Sequence, residues 1–248
     1  MVYILIFFFS HWFLSLFFHT FFLHRYASHQ MFKMNKFWEK VFYFSTWFFM
    51  GSSYLVPRAY AVMHRMHHSY SDTKKDPHSP RFFEDVMGMM KHTSKIYGDF
   101  VRRTSLPSPE FTKNLPEWES LDKFGDNKFT RFIFGVLYSL FYLYIIFVLK
   151  AASPFFLLLL PIHYLMGPVQ GAAVNWCGHK YGYRNYNTND QSKNSEPFGL
   201  LLLGELFQNN HHQYPTSAKF SKRWFEIDFA FPVIRIFQFL GIIKEVSV

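Results

Sequence analysis

Cysteine is nearly absent, since Cys177 is the only one in 248 residues. That excludes a disulfide framework and any thiolate-built metal site. Charged residues make up 17% of the chain and are unevenly spread, with no Lys or Arg in residues 1–23 and only Arg131 and Lys150 between 131 and 178. Acidic residues are the scarcer sign, 17 against 26 basic, for a formal charge of +9. A basic balance is compatible with nucleic acid, anionic lipid or an acidic substrate. No zinc-finger or RNA-binding signature accompanies it, so no nucleic-acid partner is expected. There is no internal repeat, and no low-complexity tract beyond a bias toward Phe.

What the chain has in excess is Phe, Tyr and His, with 34, 15 and 13 residues. Half of it is apolar, yet the mean hydropathy is −0.03, so the apolar residues must be concentrated. Four stretches are apolar enough to consider as membrane helices: Val2–Leu23, Phe37–Val56, Phe132–Leu149 and Phe155–Trp176. A span needs about 20 mainly apolar residues. The first stretch lacks a charged leader and a small-residue cleavage site, so it is not expected to be a removable signal peptide. Residues 58–131 and 180–223 are polar and broken by Pro, Asn and Gly, and are expected to form a water-facing cap. Residues 224–243 mix apolar with charged positions and predict an interfacial amphipathic helix.

The histidines fall in clusters: His24 and His29 in HRYASH, His64, His67 and His68 in HRMHH, and His211 and His212 in QNNHH, with His179 closing NWCGH. Positions i, i+3 and i+4 share one helical face. His64, His67 and His68 therefore point together. Gln208, His211 and His212 repeat the geometry with an amide in the first place, and Asn175 and His179 are i, i+4. His24 and His29 are five apart, about 140° around an α-helix, and converge only if the helix ends or bends between them, or if two metals lie side by side. Imidazole suits Zn, Cu, Fe and Ni, and eight ligands match two ions with four each.

The clusters must also meet across the membrane. A spanning 37–56 would put the first two on opposite sides, so that stretch is read as non-spanning, at the interface or in the cap. Three spans remain, and every histidine segment lands on the Lys- and Arg-rich, cytoplasmic side. The fold expected is an all-α multi-pass bundle with a cytoplasmic helical cap holding a di-metal site, one domain over 1–248.

HRYASH, HRMHHSYSDTKKDPHSP, NWCGHKYGYR and GELFQNNHHQYP, in this order and spacing, resemble the membrane fatty acid desaturases of the acyl-CoA (stearoyl-CoA) type over most of the chain. The resemblance implies two non-haem iron ions, O2 as oxidant, a kinked tunnel for a fatty acyl chain and an external electron donor of the ferredoxin, rubredoxin or cytochrome b5 kind. It implies His24, His29, His64, His67, His68, His179, His211 and His212 as iron ligands and Asn175 as a contact through water. It also implies residence in a bacterial cytoplasmic membrane, or the endoplasmic reticulum in a eukaryote. There are three departures. Gln208 stands where many members carry His, and is an oxygen ligand, a hydrogen-bond partner or a bystander. The chain reads one span shorter than four-helix members. No fused cytochrome b5-like domain is visible, so electrons are expected from a separate protein.

Asp72, Asp76 and Glu205 are the carboxylates nearest the clusters and are expected to orient imidazoles. Phe13, Phe17 and Thr20 share the face of His24 and are expected along the tunnel. His11 and His163, inside spans, are expected as a buried, hydrogen-bonded set, His78 beside the ligands, and His92 at the surface. His19 is a possible substitute for the histidine missing at 208. A hydroxylase of acyl, alkane or sterol chains on the same scaffold, and a non-enzymatic metal-binding membrane protein, are the competing functions.

Overall fold

The computed structural model describes residues 1–195 and 199–248. The first helix, α1 (Val2–Phe18), continues without a break through a wider π-helical stretch, His19–Ser28. Together they make a 27-residue apolar rod, about 40 Å at 1.5 Å per residue. Next comes α2 (Lys36–Met50), whose start is fixed by the Asn35 side chain accepting the Trp38 N–H at 2.9 Å, a cap that stabilises by about 1 kcal/mol. At 15 residues, α2 is too short to cross, as expected for this region. It lies along α1, stacking Phe49 on Phe18 and packing Phe42 against Phe21, and it exposes Phe37, Phe44 and Phe48 on its far side. Gly51 ends it at φ +53°, where an added Cβ would collide with the Tyr138 hydroxyl.

The cap follows with α3 (Pro57–Tyr70), α4 (Val86–Val101) and α5 (Glu119–Gly125). Helix α6 (Lys128–Leu143), extended by a π turn to Val148, is the second rod, 21 residues long. The third apolar element is bent. A 3-10 stretch from Pro154 leads into α7 (Leu160–Tyr164), and after Leu165 the chain turns by 72° into α8 (Met166–Ala172), a π turn (Ala173–Cys177) and α9 (Gly178–Lys180). The cause is Pro168, which has no N–H to give the Tyr164 carbonyl and whose ring crowds it. Ser52 Oγ donates to that carbonyl at 3.0 Å, and the Gly167 N–H donates to Ser53 Oγ at 3.0 Å, so the break leaves neither group unpaired. Among the described residues, two apolar helices are long enough to cross a membrane, three if the bent pair counts as one.

The chain closes with α10 (Gln208–Gln213) and α11 (Ala230–Phe239), the latter shorter than the helix expected over 224–243. Phe237 of α11 packs on Phe17, Phe21 and Phe42. A two-residue antiparallel ladder, β1 (Lys33–Met34) with β2 (Ile243–Lys244), ties the end of the chain to the turn after the first rod. Phe21, Phe22, Phe32 and Tyr43 are fully buried where α1, α2 and α11 meet. Each such Phe stabilises by about 1.5–3 kcal/mol relative to an exposed one. Within the apolar layer, His11 and His163 join Nδ1 to Nδ1 at 2.9 Å beside the Tyr138 ring, as expected of the two intramembrane histidines.

Candidate metal centre

Four elements end at one place. The end of the first rod brings His24 and His29, α3 brings His64, His67 and His68, α9 brings His179, and α10 brings His211 and His212. The five-residue spacing of the first pair is resolved by the π-helical turn. The His29 N–H donates to the His24 carbonyl at 3.2 Å, and a helix that closes i to i+5 stacks residues five apart. The π turn before α9, Ala173–Cys177, carries Asn175.

Imidazole nitrogens of His24, His29, His64, His68 and His211 all lie within 4.8 Å of one another, and so do those of His67, His179 and His212. These two sets hold five and three of the eight histidines. His68 sits at the boundary, its ring centroid 4.6 Å from that of His211 and 4.5 Å from that of His212. Nε2 atoms face one another at 2.9 Å (His24 and His211), 2.8 Å (His29 and His64), 3.0 Å (His64 and His68) and 3.3 Å (His67 and His212). Nitrogens about 2.1 Å from one ion stand about 3.0 Å apart across a right angle and about 3.4 Å across a tetrahedral one. The buried Nε2 of His179 has no hydrogen-bond partner among the described residues. Converging lone pairs and an orphaned nitrogen fit bound metal ions.

Carboxylates hold the opposite ring edge of four histidines. His24 Nδ1–H donates to Glu205 at 2.6 Å, His67 to Asp76 at 2.9 Å, His179 to Asp72 at 3.0 Å and His212 to Asp190 at 2.5 Å. Such bonds fix the tautomer and aim Nε2 at an ion. Burial works to raise the Asp72 and Glu205 carboxyls, but the histidine partners win and bring both down to about 2. Asp76 and Asp190 are held well below the usual carboxylate range in the same way. His29, His64, His68 and His211 have no carboxylate partner among the described residues, and burial together with neighbouring imidazoles pushes each well below 6.5.

Three of these carboxylates are those nearest the clusters in sequence. Asp190 is not: it lies 22 residues before His212, in a loop where Thr188 and Ser192 donate to it. Its only sequence signal is that hydroxyl-flanked Asp, a common turn pattern. Arg25 gave no signal either. Its fully buried guanidinium bridges Glu205 at 3.2 Å and Asp228 at 3.0 Å, and it lies 3.8 Å over the Phe220 ring. It thereby fixes the carboxylate that fixes His24.

A cavity of about 870 Å³ reaches the centre, with His24, His64, Glu205 and Gln208 at its metal end. The first rod lines it with Leu16 and His19, not with Phe13, Phe17 and Thr20 as expected. The α-helical projection fails because the rod becomes π-helical from His19. Phe13 faces outward, Phe17 stacks on Phe21, and the Thr20 hydroxyl donates to Glu205. Gln208 Nε2 donates to the Glu205 carbonyl at 2.7 Å, and its chain fills the space that a Cβ at Gly178 would need. Asn175 lines the cavity. His19 stands outside both histidine groups, edge-on to Tyr60 at 5.0 Å. His78 lies tilted 4.3 Å from His67, with both ring nitrogens buried and unpartnered among the described residues. His92 is exposed.

Apolar rods long enough to cross a membrane, with clustered imidazoles over an apolar cavity, define a class of membrane-associated proteins with residues that could hold metal ions. Comparison with known proteins narrows it. The fatty acid desaturase family model matches residues 1–237, and the chain belongs to that family. It is 30% identical over 200 residues, 77% of this chain and 65% of the relative, to an sn-1 stearoyl-lipid 9-desaturase of Anabaena variabilis. A Synechocystis protein of the same name is 30% identical, covering 75% of this chain and 54% of the relative. An acyl-CoA C20 Delta5-desaturase of Anemone leveillei is 27% identical, covering 75% and 55%. The chain thus spans between about half and two thirds of the length of these relatives.

Proposed function

We propose that the chain introduces a cis double bond into a fatty acyl chain at a histidine-ligated di-iron centre. The ligands in this reading are His24, His29, His64, His67, His68, His179, His211 and His212, with Asn175 contacting through water. Gln208 serves as a hydrogen-bond partner that braces Glu205. The observation that carries the reading is the junction of the imidazole groups with the apolar cavity, at His24 and His64.

Removing hydrogens from adjacent unactivated methylenes is beyond any side-chain acid or base. Two iron ions in the centre would supply the O2-derived oxidising chemistry, with electrons from a separate ferredoxin, rubredoxin or cytochrome b5-type protein. The residues do the rest. Asp72, Asp76, Asp190 and Glu205 hold four imidazoles in one tautomer, and Arg25 holds Glu205. Leu16, Leu55 and Met63 line the cavity beside the metal end, exclude water and present the chain. In this reading the metal end faces the cytoplasm, which the distribution of Lys and Arg supports.

Expression in a host with saturated lipids, followed by mass-spectrometric mapping of double bonds, tests the reading. New double bonds that vanish in His64→Ala are expected. A hydroxylated product without a double bond would reassign the chain to hydroxylation, and iron-free active protein would remove the di-iron centre.

A further inference from the structure

The two imidazole sets differ in size, and the difference has a chemical meaning. His68 stands at their boundary, but its Nε2 faces His64 Nε2 at 3.0 Å, so the lone pair it can give is spent in the five-histidine set. An ion held by five imidazoles is close to full. An ion held by three protein ligands, here His67, His179 and His212, keeps a position for water or another small molecule. The buried, unpartnered Nε2 of His179 belongs to this smaller set.

What stands beside the smaller set decides what can enter it. His179 and His212 are each preceded, four residues earlier, by an amide side chain, Asn175 and Gln208, and both amides line the cavity. Gln208 packs against Gly178, next to His179, while its own helix carries His212, so it lies between two of the three ligands. A neutral amide oxygen suits hard ions such as Mg and Ca better than it suits iron, so Gln208 is no replacement for an imidazole. It can still hydrogen-bond a small molecule, as can Asn175. The charge is equally selective. Asp76, Asp72 and Asp190 back the three rings of the smaller set. The larger set has Glu205, which Arg25 already neutralises in part. Three carboxylates close by repel an incoming anion and leave a neutral molecule indifferent.

Resting on the di-iron reading, we infer that the two ions are unequal: the five-histidine ion is closed, and the three-histidine ion takes a small neutral ligand from the cavity, beside Asn175 and Gln208. Gln208 keeps that position open, because a histidine there would repeat the i, i+3, i+4 face of His64, His67 and His68 and fill it. His78 is the rival occupant, since it lines the cavity with both ring nitrogens unpartnered among the described residues. Its nitrogens gather with His67 and Asp76. That is the Asp76 side of the His67 ring, opposite the Nε2 edge that faces His212.

The test loads the full chain in detergent with ferrous iron, without oxygen, and titrates nitric oxide, a neutral diatomic ligand. Mössbauer spectra should show half of the iron converted, one ion of the two, and equimolar azide should not displace the ligand. Gln208→His should keep both irons and lose most of the conversion, whereas Gln208→Ala should keep both irons and the conversion. His179→Ala removes a ligand of the smaller set. It should lose one iron, and the iron that stays should ignore nitric oxide, which decides the matter if Gln208→His folds poorly. Conversion of all the iron, of none, or of the iron left in His179→Ala overturns the inference. So does conversion that appears only in His78→Ala, which would give the position to His78. No arm needs turnover. Half-conversion as expected without double bonds in any lipid defeats only the desaturase reading. Double bonds made by a chain whose nitric oxide response survives Gln208→His defeat only this one.

Discussion

At the scale of residues, the centre depends on side chains one step removed from any ion. Asp190 is the sharpest case, because it alone aims His212. Asp190→Ala is expected to lower metal affinity about 10–100-fold, the usual cost of losing such a partner, as read by chelator competition. Asp190→Asn, which keeps an acceptor oxygen, should recover part of the loss. Unchanged affinity in both variants would mean that α10 alone positions the ring. A second prediction concerns the cavity wall. Leu16→Phe should shorten the acyl chains accepted, whereas Phe13→Ala, at an outward-facing position, should leave the product profile unchanged. Lipid chain-length analysis of the two variants checks both halves.

At the scale of elements, the histidine spacings show how far sequence reaches. The spacings in α3 and α10 are legible because both are regular turns that bring i, i+3 and i+4 together. The pair at His24 and His29 is not, since nothing in the residue types of His19–Ser28 announces a wider coil. The same omission misplaced Phe13, Phe17 and Thr20, because a projection that assumes 3.6 residues per turn rotates away from the true face. The short α2 was legible through a topological need rather than through its composition. The positions of Asp190 and Asp228 are set by loops that only long-range contacts define. An element-level prediction follows from the π turn. Inserting one Ala between Tyr26 and Ala27 sets the two histidines six apart, which no helical turn brings to one face. Iron bound per chain should fall, while deletion of Ala27, which leaves an i, i+4 pair, should retain more of it. Equal iron in both would show that the turn adapts.

For the whole molecule, the metal-free protein should lose stability in mild acid. His29, His64, His68 and His211 sit well below 6.5 because they are buried, and His212 is brought to about 4 by burial against the pull of Asp190. Below pH 6.5 the unfolded chain binds protons that the folded chain refuses, so stability falls as pH falls. His67 has the opposite sign: burial lowers it, Asp76 outweighs burial, and its net rise favours folding in acid. With His78, which burial likewise lowers, six groups against one decide the direction, each contributing up to about 1.4 kcal/mol per pH unit. The melting temperature of metal-free protein in detergent should be level above about pH 7 and decline below 6.5, and a rise over that interval would contradict the assigned burial.

The four carboxylates behind the imidazoles also set an account of electrical neutrality. Glu205, Asp72, Asp76 and Asp190 place four negative charges around rings that are neutral as ligands, and the Arg25 cation is shared with a fifth carboxylate, Asp228. Two divalent cations cancel those four charges, so the interior is charge-balanced only when both are present. Without them, His67, which Asp76 makes more basic than a free imidazole, holds a proton that filling the centre has to expel. Loading with divalent ions should then acidify a weakly buffered solution by an amount that shrinks as the starting pH rises.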